Sequence, residues 1–348
     1  MHRFLTLPIL LLLTAAGVRA GEALQAADLA AGLTLVDEAG AWQVRRSGAA
    51  PRPIDPGVGF RPSAVSPLGD GWLVVGTVTS GRRSDLLLLR GGTDGVEVLP
   101  APGGRADDGP IASRGGPVAL VADDRLLGVA WLEGDRQDDL VVRSAEWLDG
   151  DWGPIEEVSP QGPGALARGA QLGLAAAVLP GGDWLLLWAG VDGEDDEILW
   201  SRRGERTWTA PRRLHGDNRV PDIKPTVVAT PDGALAAWSV FHDGHYRLRL
   251  GRLHGATWSL GPPSGGLGAL YPEALVADDG LLILHRSVVP DGWAVLELDR
   301  DGAPLREGFV GRATSARPVV VRTDDGGYLL RWPGEAGAGH APTWDPAR

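Results

Sequence analysis

The chain has 348 residues, a net charge of −12 and no cysteine. The acidic balance speaks against a nucleic-acid partner, because phosphate binding needs a basic surface. The missing cysteines exclude disulfides, thiol catalysis and thiolate metal centres, so stability must come from a large core.

Residues 1–20 read as a secretory leader. A basic Met1-His2-Arg3 start precedes an apolar run from Phe4 to Ala16, and Val18-Arg19-Ala20 ends in a small residue. The run is too short for a comfortable membrane span, and Pro8 interrupts it. Cleavage is expected after Ala20, leaving an exported chain of residues 21–348 with no membrane span. Heavy use of Ala, Gly, Arg and Asp points to a GC-rich bacterial coding sequence. The expected address is therefore the periplasm or the cell exterior.

From Leu33 onward the chain reads as short strands and turns, in keeping with its 51 Gly and 27 Pro. An Asp/Gly turn followed by an apolar run recurs at Asp70, Asp123, Gly182, Asp232, Asp279 and Asp325, about 46 to 59 residues apart. That period is close to the one expected of propeller blades. Upstream of most copies sits a short strand opened by proline, as in Arg61-Pro62, Gly116-Pro117, Lys224-Pro225, Tyr271-Pro272 and Arg317-Pro318. Downstream come two more strands, and no segment holds a helical period. The expected fold is all-β: a six-bladed β-propeller of four-stranded antiparallel blades. Whole blades are expected at 60–104, 110–164, 168–218, 221–267 and 271–311. Residues 33–57 are expected to supply the outer strands, and 315–333 the inner strands, of a closing blade shared by the two chain ends.

Ser201, Thr207 and Trp208, with Gly204, resemble the Asp-box (BNR repeat) of the sialidase-like propellers, S-x-D-x-G-x-T-W. Arg203 stands at the Asp position. Gly255, Thr257 and Trp258 repeat the pattern with Leu253 for the Asp, and Asp37 and Trp42 carry a fragment of it. The boxes are degenerate. The resemblance implies that they are folding elements away from the functional face, with the tryptophans as packing anchors. Phe60, Arg61 and Pro62 are similar to the family's F/Y-R-I-P stretch without its Ile, and that likeness implies a carboxylate-gripping role for Arg61. The family's nucleophilic Tyr lies in the last blade, one blade later than Tyr271.

In a meander, the loops entering the first strand and those joining the second and third strands share one face. Arg61, Arg114, Lys224, Arg286 and Arg317 are therefore expected at the channel mouth as ligand-binding cations. Asp222, Tyr271 and Glu273 are the candidate catalytic groups there. Tyr271 and Glu273, two apart on one strand, are expected to point the same way as a nucleophile pair. Arg82, Arg83, Glu133 and Asp135 belong to the same rim. No metal centre is assigned; His242, His245 and His215 are the weak candidate set. No cofactor is expected. The run Asp192, Glu194, Asp195, Asp196, Glu197 offers oxygen donors for Ca²⁺ but lacks an EF-hand spacing. The leading expectation is a monomeric, non-catalytic binding module for a glycan or other anionic small molecule. The alternatives are a sialidase-type exo-glycosidase with an arginine clamp and a Tyr/Glu pair, and an envelope scaffold that binds a protein partner.

Overall fold

The computed structural model describes residues 26–28, 32–38, 41–46, 48–57, 59–81, 83–104, 113–134, 140–159, 173–191, 195–205, 207–216, 220–277, 280–312, 316–323, 326–332 and 339–346. The expected leader, Arg82, Asp135, Asp192 and Glu194 lie outside them. Among these residues there is no helix, and the strand pairings are antiparallel.

Six sheets of four or five strands form the six blades. Blade one is Ala26–Asp28, Leu33–Glu38, Ala41–Arg46 and Arg52–Ile54; blade two is Arg61–Leu68, Gly71–Ser80, Arg83–Gly92 and Gly95–Leu99. Blade three starts with Arg114–Ala122, Arg125–Glu133 and Val141–Leu148; blade four starts with Leu174–Val178, Trp184–Val191 and Asp196–Gly204. Their outer edges are broken into two pieces, Asp151–Trp152 with Glu156–Glu157 and Thr207–Trp208 with Arg212–Arg213. Pro154 and Pro211 lie at these breaks, where a ring nitrogen has no hydrogen to give the ladder. Blade five is Asp222–Thr230, Gly233–His242, His245–His254 and Thr257–Leu260. Blade six is Leu270–Ala277, Gly280–Ser287, Gly292–Leu298 and Pro304–Val310.

The first strands of consecutive blades touch in chain order and line the centre of the ring. Closure differs from the expectation. Residues 33–54 do not complete a C-terminal blade, because Ala26–Asp28 pairs ahead of Leu33–Glu38 and makes blade one complete in itself. Ala-Ala-Asp has little intrinsic strand preference, so nothing local announces it. Val319–Arg322 and Tyr328–Arg331 form a separate two-stranded hairpin, which packs on the core of blade six and touches the first strand of blade one. A last strand, Thr343–Pro346, pairs with Pro304–Val310 and covers the outer edge of blade six. The six-blade count stands, with the ends arranged differently.

The core lies between neighbouring blades. Second strands are buried almost end to end, as in Leu185 to Ala189 and Ala234 to Trp238, because both faces of each sheet are covered. Trp131, Trp188 and Trp238 are fully buried on these strands. The outer-strand tryptophans reach back to the preceding blade. Trp152 donates its indole N–H to the Pro100 carbonyl (2.6 Å), and Trp208 donates to Ser144 Oγ (3.0 Å) and Glu156 Oε2 (3.1 Å). Trp258 packs edge-on against Trp200 of blade four, with centroids 6.1 Å apart. So the Asp-box-like stretch is an inter-blade anchor, as its resemblance implied.

Arg203, standing where the motif has Asp, extends that anchor. It is 8% exposed, pairs with Glu146 and Glu156 of blade three at 3.0 Å each, and lies over the Trp184 ring at 4.5 Å. Arg203→Ala is expected to lower the unfolding free energy by about 2 kcal/mol, since it removes charge-assisted bonds made by a largely buried guanidinium. Arg203→Asp, which restores the motif's residue, is expected to cost more, because it faces two carboxylates. Urea denaturation of both variants checks the order; equal or opposite effects would refute the clamp.

Candidate functional site

The channel mouth is shaped by a repeated irregularity in the first strands. Their pairing slips by one residue between Gly115 and Val118, between Ile223 and Thr226, and between Leu270 and Glu273. The X-Pro pair occupies the slip each time: Gly116-Pro117, Lys224-Pro225 and Tyr271-Pro272. The residue before proline is left-handed in all three, with φ of 54° at Gly116, 56° at Lys224 and 53° at Tyr271. Glycine takes that conformation at little cost, whereas an L side chain pays about 1–2 kcal/mol. A proline after it narrows the choice further. Blades five and six thus carry side chains where blade three has a hydrogen. Such bulges re-aim a side chain and recur beside functional sites.

The re-aimed residues meet. Lys224 Nζ sits 5.9 Å from the centroid of the Tyr271 ring, which is 43% exposed. Burial first, and the Arg317 charge second, hold the Lys224 ammonium below its ordinary pKa. Arg317 itself pairs with Glu273 at 2.5 Å. Tyr246, which opens the third strand of blade five, packs edge-on against Phe241 with centroids 5.3 Å apart. Burial and the negative charges of Asp196 and Asp222 push its phenol upward, so it stays protonated. Burial also raises the Asp196 carboxyl. Blades four to six and the segment before the hairpin thereby gather Asp196, Asp222, Lys224, Tyr246, Tyr271, Glu273 and Arg317 on one face.

Beside this group lies His215, in the loop leaving blade four. Its Nε2 contacts Asp222 Oδ2 and stands 3.7 Å from Glu197 Oε2, while its Nδ1 lies 2.6 Å from the Gly216 carbonyl. Both carboxylates are fully buried, and the imidazole is 6% exposed and stacked on Trp238 at 14°. Burial pulls the imidazole down, but the Asp222 hydrogen bond and the Asp222 and Glu197 charges outweigh it and leave its pKa raised. Among the described residues these three donors form the one group of metal-ligating type drawn within 4.8 Å.

Other expected site residues go elsewhere. Arg114 is 1% exposed, donates to the Pro102 (2.8 Å) and Gly104 (3.0 Å) carbonyls, and stands 3.4 Å from Glu133. It clamps blade three to blade two and has no surface left for a ligand. Glu133 is used in the same clamp and accepts the Trp131 indole N–H at 3.1 Å. Arg286 bonds within its own hairpin to the Ser287 and Gly292 carbonyls and Asp291. Arg61 is exposed at the start of blade two, and Arg317 is engaged with Glu273. Arg83 is exposed at the start of a third strand. The slip at residues 271–272 interrupts the two-residue alternation between Tyr271 and Glu273, and Glu273 pairs with Arg317. His242 is 53% exposed and paired with Asp243 at the tip of a blade-five hairpin, opposite His245. His215 is instead with Glu197 and Asp222, so the three-histidine set does not form. Tyr246 and the His215–Glu197 contact were missed in the sequence, where only the position of His215 in a same-face loop pointed to them.

A cavity of about 850 Å³ opens on the opposite face between blades two, three and four. Its Arg203 and Glu146 are already paired with each other, so it belongs to the inter-blade clamp.

No protein-family model and no curated protein matches the chain. Solved structures do. An α-L-arabinanase of Penicillium chrysogenum, complexed with arabinobiose, is 15% identical with a TM-score of 0.52, covering 78% of this chain and 90% of its own. The shared fold is a β-propeller. AofleA of Arthrobotrys oligospora aligns at 10% identity and TM-score 0.51 over 84% and 87% of the two chains. A prolyl endopeptidase aligns at 16% and 0.50 over 78% of this propeller but only 39% of its own chain. At these identities the likeness is one of fold, and propellers host many activities.

The mouth residues carry a measurable stability cost. A lysine with a lowered folded-state pKa binds its proton less tightly in the folded chain than in the unfolded one. Its charge therefore destabilises the fold at neutral pH, and the penalty fades as pH rises through the lowered value toward 10.5. Lys224→Met is expected to melt above the wild type at pH 7, by a margin that shrinks toward pH 10. Lys224→Gly is expected to gain about 1 kcal/mol more from relief of the left-handed backbone. Thermal melts across that pH range check both; a destabilised Lys224→Gly would show that the conformation is unstrained.

Proposed function

We propose that this propeller is an exported binding module whose channel mouth takes a carboxylate-bearing glycan. The observation that carries this reading is the strained pair Lys224 and Tyr271. Two adjacent blades keep functional side chains at positions whose backbone is made for glycine, and such strain persists where function requires it. The chemistry fits the ligand class. Lys224 and Arg317 put two cations near one another for an anionic group. The exposed Tyr271 ring is a flat apolar surface for a sugar face, and Tyr246 and the carboxyls supply hydroxyl partners. The arabinanase neighbour, complexed with arabinobiose, supports a propeller of this kind holding an oligosaccharide.

A second reading, hydrolysis of the bound glycan, is favoured by one feature. The Asp196 carboxyl is raised by burial, while the Asp222 carboxylate close by is engaged by His215. Carboxyls in unequal environments are the arrangement that separates an acid from a base.

One panel tests both readings. Oligosaccharides ending in uronic or sialic acid are expected to bind in calorimetry, more weakly with added salt, and at least tenfold more weakly to Lys224→Ala and Tyr271→Ala. Neutral analogues are expected to bind less. Absence of binding across the panel, or binding indifferent to both substitutions, would sink the module. Release of a terminal sugar that stops in Asp196→Asn would establish the hydrolase.

Export rests on the leader pattern of residues 1–20. Expressed with its own start in a bacterial host, the protein is expected outside the cytoplasm with Gly21 at its N-terminus. An intact Met1 on the folded protein, read by mass spectrometry, would contradict this.

A further inference from the structure

We infer that Glu197, His215 and Asp222 form a binding site for a divalent transition-metal ion. The three come from separate parts of the chain: the start of a blade-four strand, the loop that leaves that blade, and the first residue of blade five. Folding brings one imidazole nitrogen and two carboxylate oxygens within 4.8 Å of one another. Around a single ion with bonds of about 2.0–2.2 Å such atoms stand about 3–4.4 Å apart, so the ion would take the place of the direct His215–Asp222 contact.

The imidazole is prepared as a ligand. Its Nδ1 donates to the Gly216 carbonyl at 2.6 Å, which leaves Nε2 as the atom facing the carboxylates. This is the outer hydrogen bond that fixes tautomer and orientation in metal-bound histidines. The stacked Trp238 holds the ring plane, with centroids 6.1 Å apart. Two carboxylates and a neutral imidazole together carry the charge that one divalent cation cancels. Both carboxylates are fully buried, so the set is unlike a solvated acidic rim. A nitrogen donor with two oxygens suits Zn²⁺ or its neighbours, whereas Ca²⁺ selects all-oxygen shells. Three protein ligands leave a fourth position for water or ligand. The site does not depend on the glycan reading, although Asp222 borders both.

Zinc is the probe. The protein, without an affinity tag, is stripped with EDTA, given a slight excess of ZnCl₂ and desalted. About one zinc per chain is expected by elemental analysis, together with a higher melting temperature. The zinc is expected to be lost in His215→Ala and Glu197→Gln and retained in the double variant His242→Ala/His245→Ala. Should the first two variants fail to fold, long-range ¹⁵N–¹H spectra of the wild type decide: zinc must shift Nε2 of one stacked histidine and leave the hairpin histidines unchanged. A wild type that retains no zinc overturns the site, as does zinc kept by folded His215→Ala or lost with the hairpin pair. In those cases the three groups are a buried ion pair that holds a proton.

Discussion

Burial of each blade's two faces between its neighbours is the constraint on which everything else rests. The middle of a second strand such as Leu185 to Ala189 has no side that meets water, so a lone blade would leave both faces wet. Each fully buried tryptophan among Trp131, Trp188 and Trp238 contributes about 3 kcal/mol of apolar burial, and only when the adjacent blade is present. With no cysteine to tie the ends, the chain meets this condition by geometry. Blade one is completed by Ala26–Asp28, the hairpin at Val319–Arg331 stands beside it, and Thr343–Pro346 covers the outer edge of blade six.

The polar side chains at the interfaces follow from the same constraint. A dry seam between sheets admits a charge only when it is fully engaged. Arg114 bridges blades three and two, and Arg203 bridges blades four and three, each with several partners and a tryptophan face beneath it. Glycine supports the fit elsewhere. The Trp344 ring lies over Gly308, where any Cβ would stand 2.8 Å from it, so the covering strand can seat closely.

The mouth is the place where local preference and tertiary need disagree. A left-handed residue before proline is what glycine does well, and blade three uses Gly116 there. Lys224 and Tyr271 hold the same backbone against their own preference, and the ring of packed strands supplies the rigidity that makes this tolerable. The bulge that strains them also turns them toward each other. It also interrupts the simple strand alternation between Tyr271 and Glu273.

The amino-acid order by itself determined the repeat, its all-β character, the count of blades and the face on which polar side chains gather. Those features follow from periodic Asp/Gly turns, apolar runs and X-Pro strand openings, which are local and recur. It also located Asp222, Lys224, Tyr271 and Arg317 near one mouth, because meander topology assigns each loop to a face. Only the tertiary structure decided how the ends close, since the Ala-Ala-Asp strand has no signal of its own. It likewise decided that Arg114 and Arg286 spend their donors within the protein and that His215 joins Glu197 and Asp222 instead of the hairpin histidines. Those outcomes depend on which donors and acceptors lie within hydrogen-bond reach once distant strands are packed. That distance is not written in the spacing of residues along the chain.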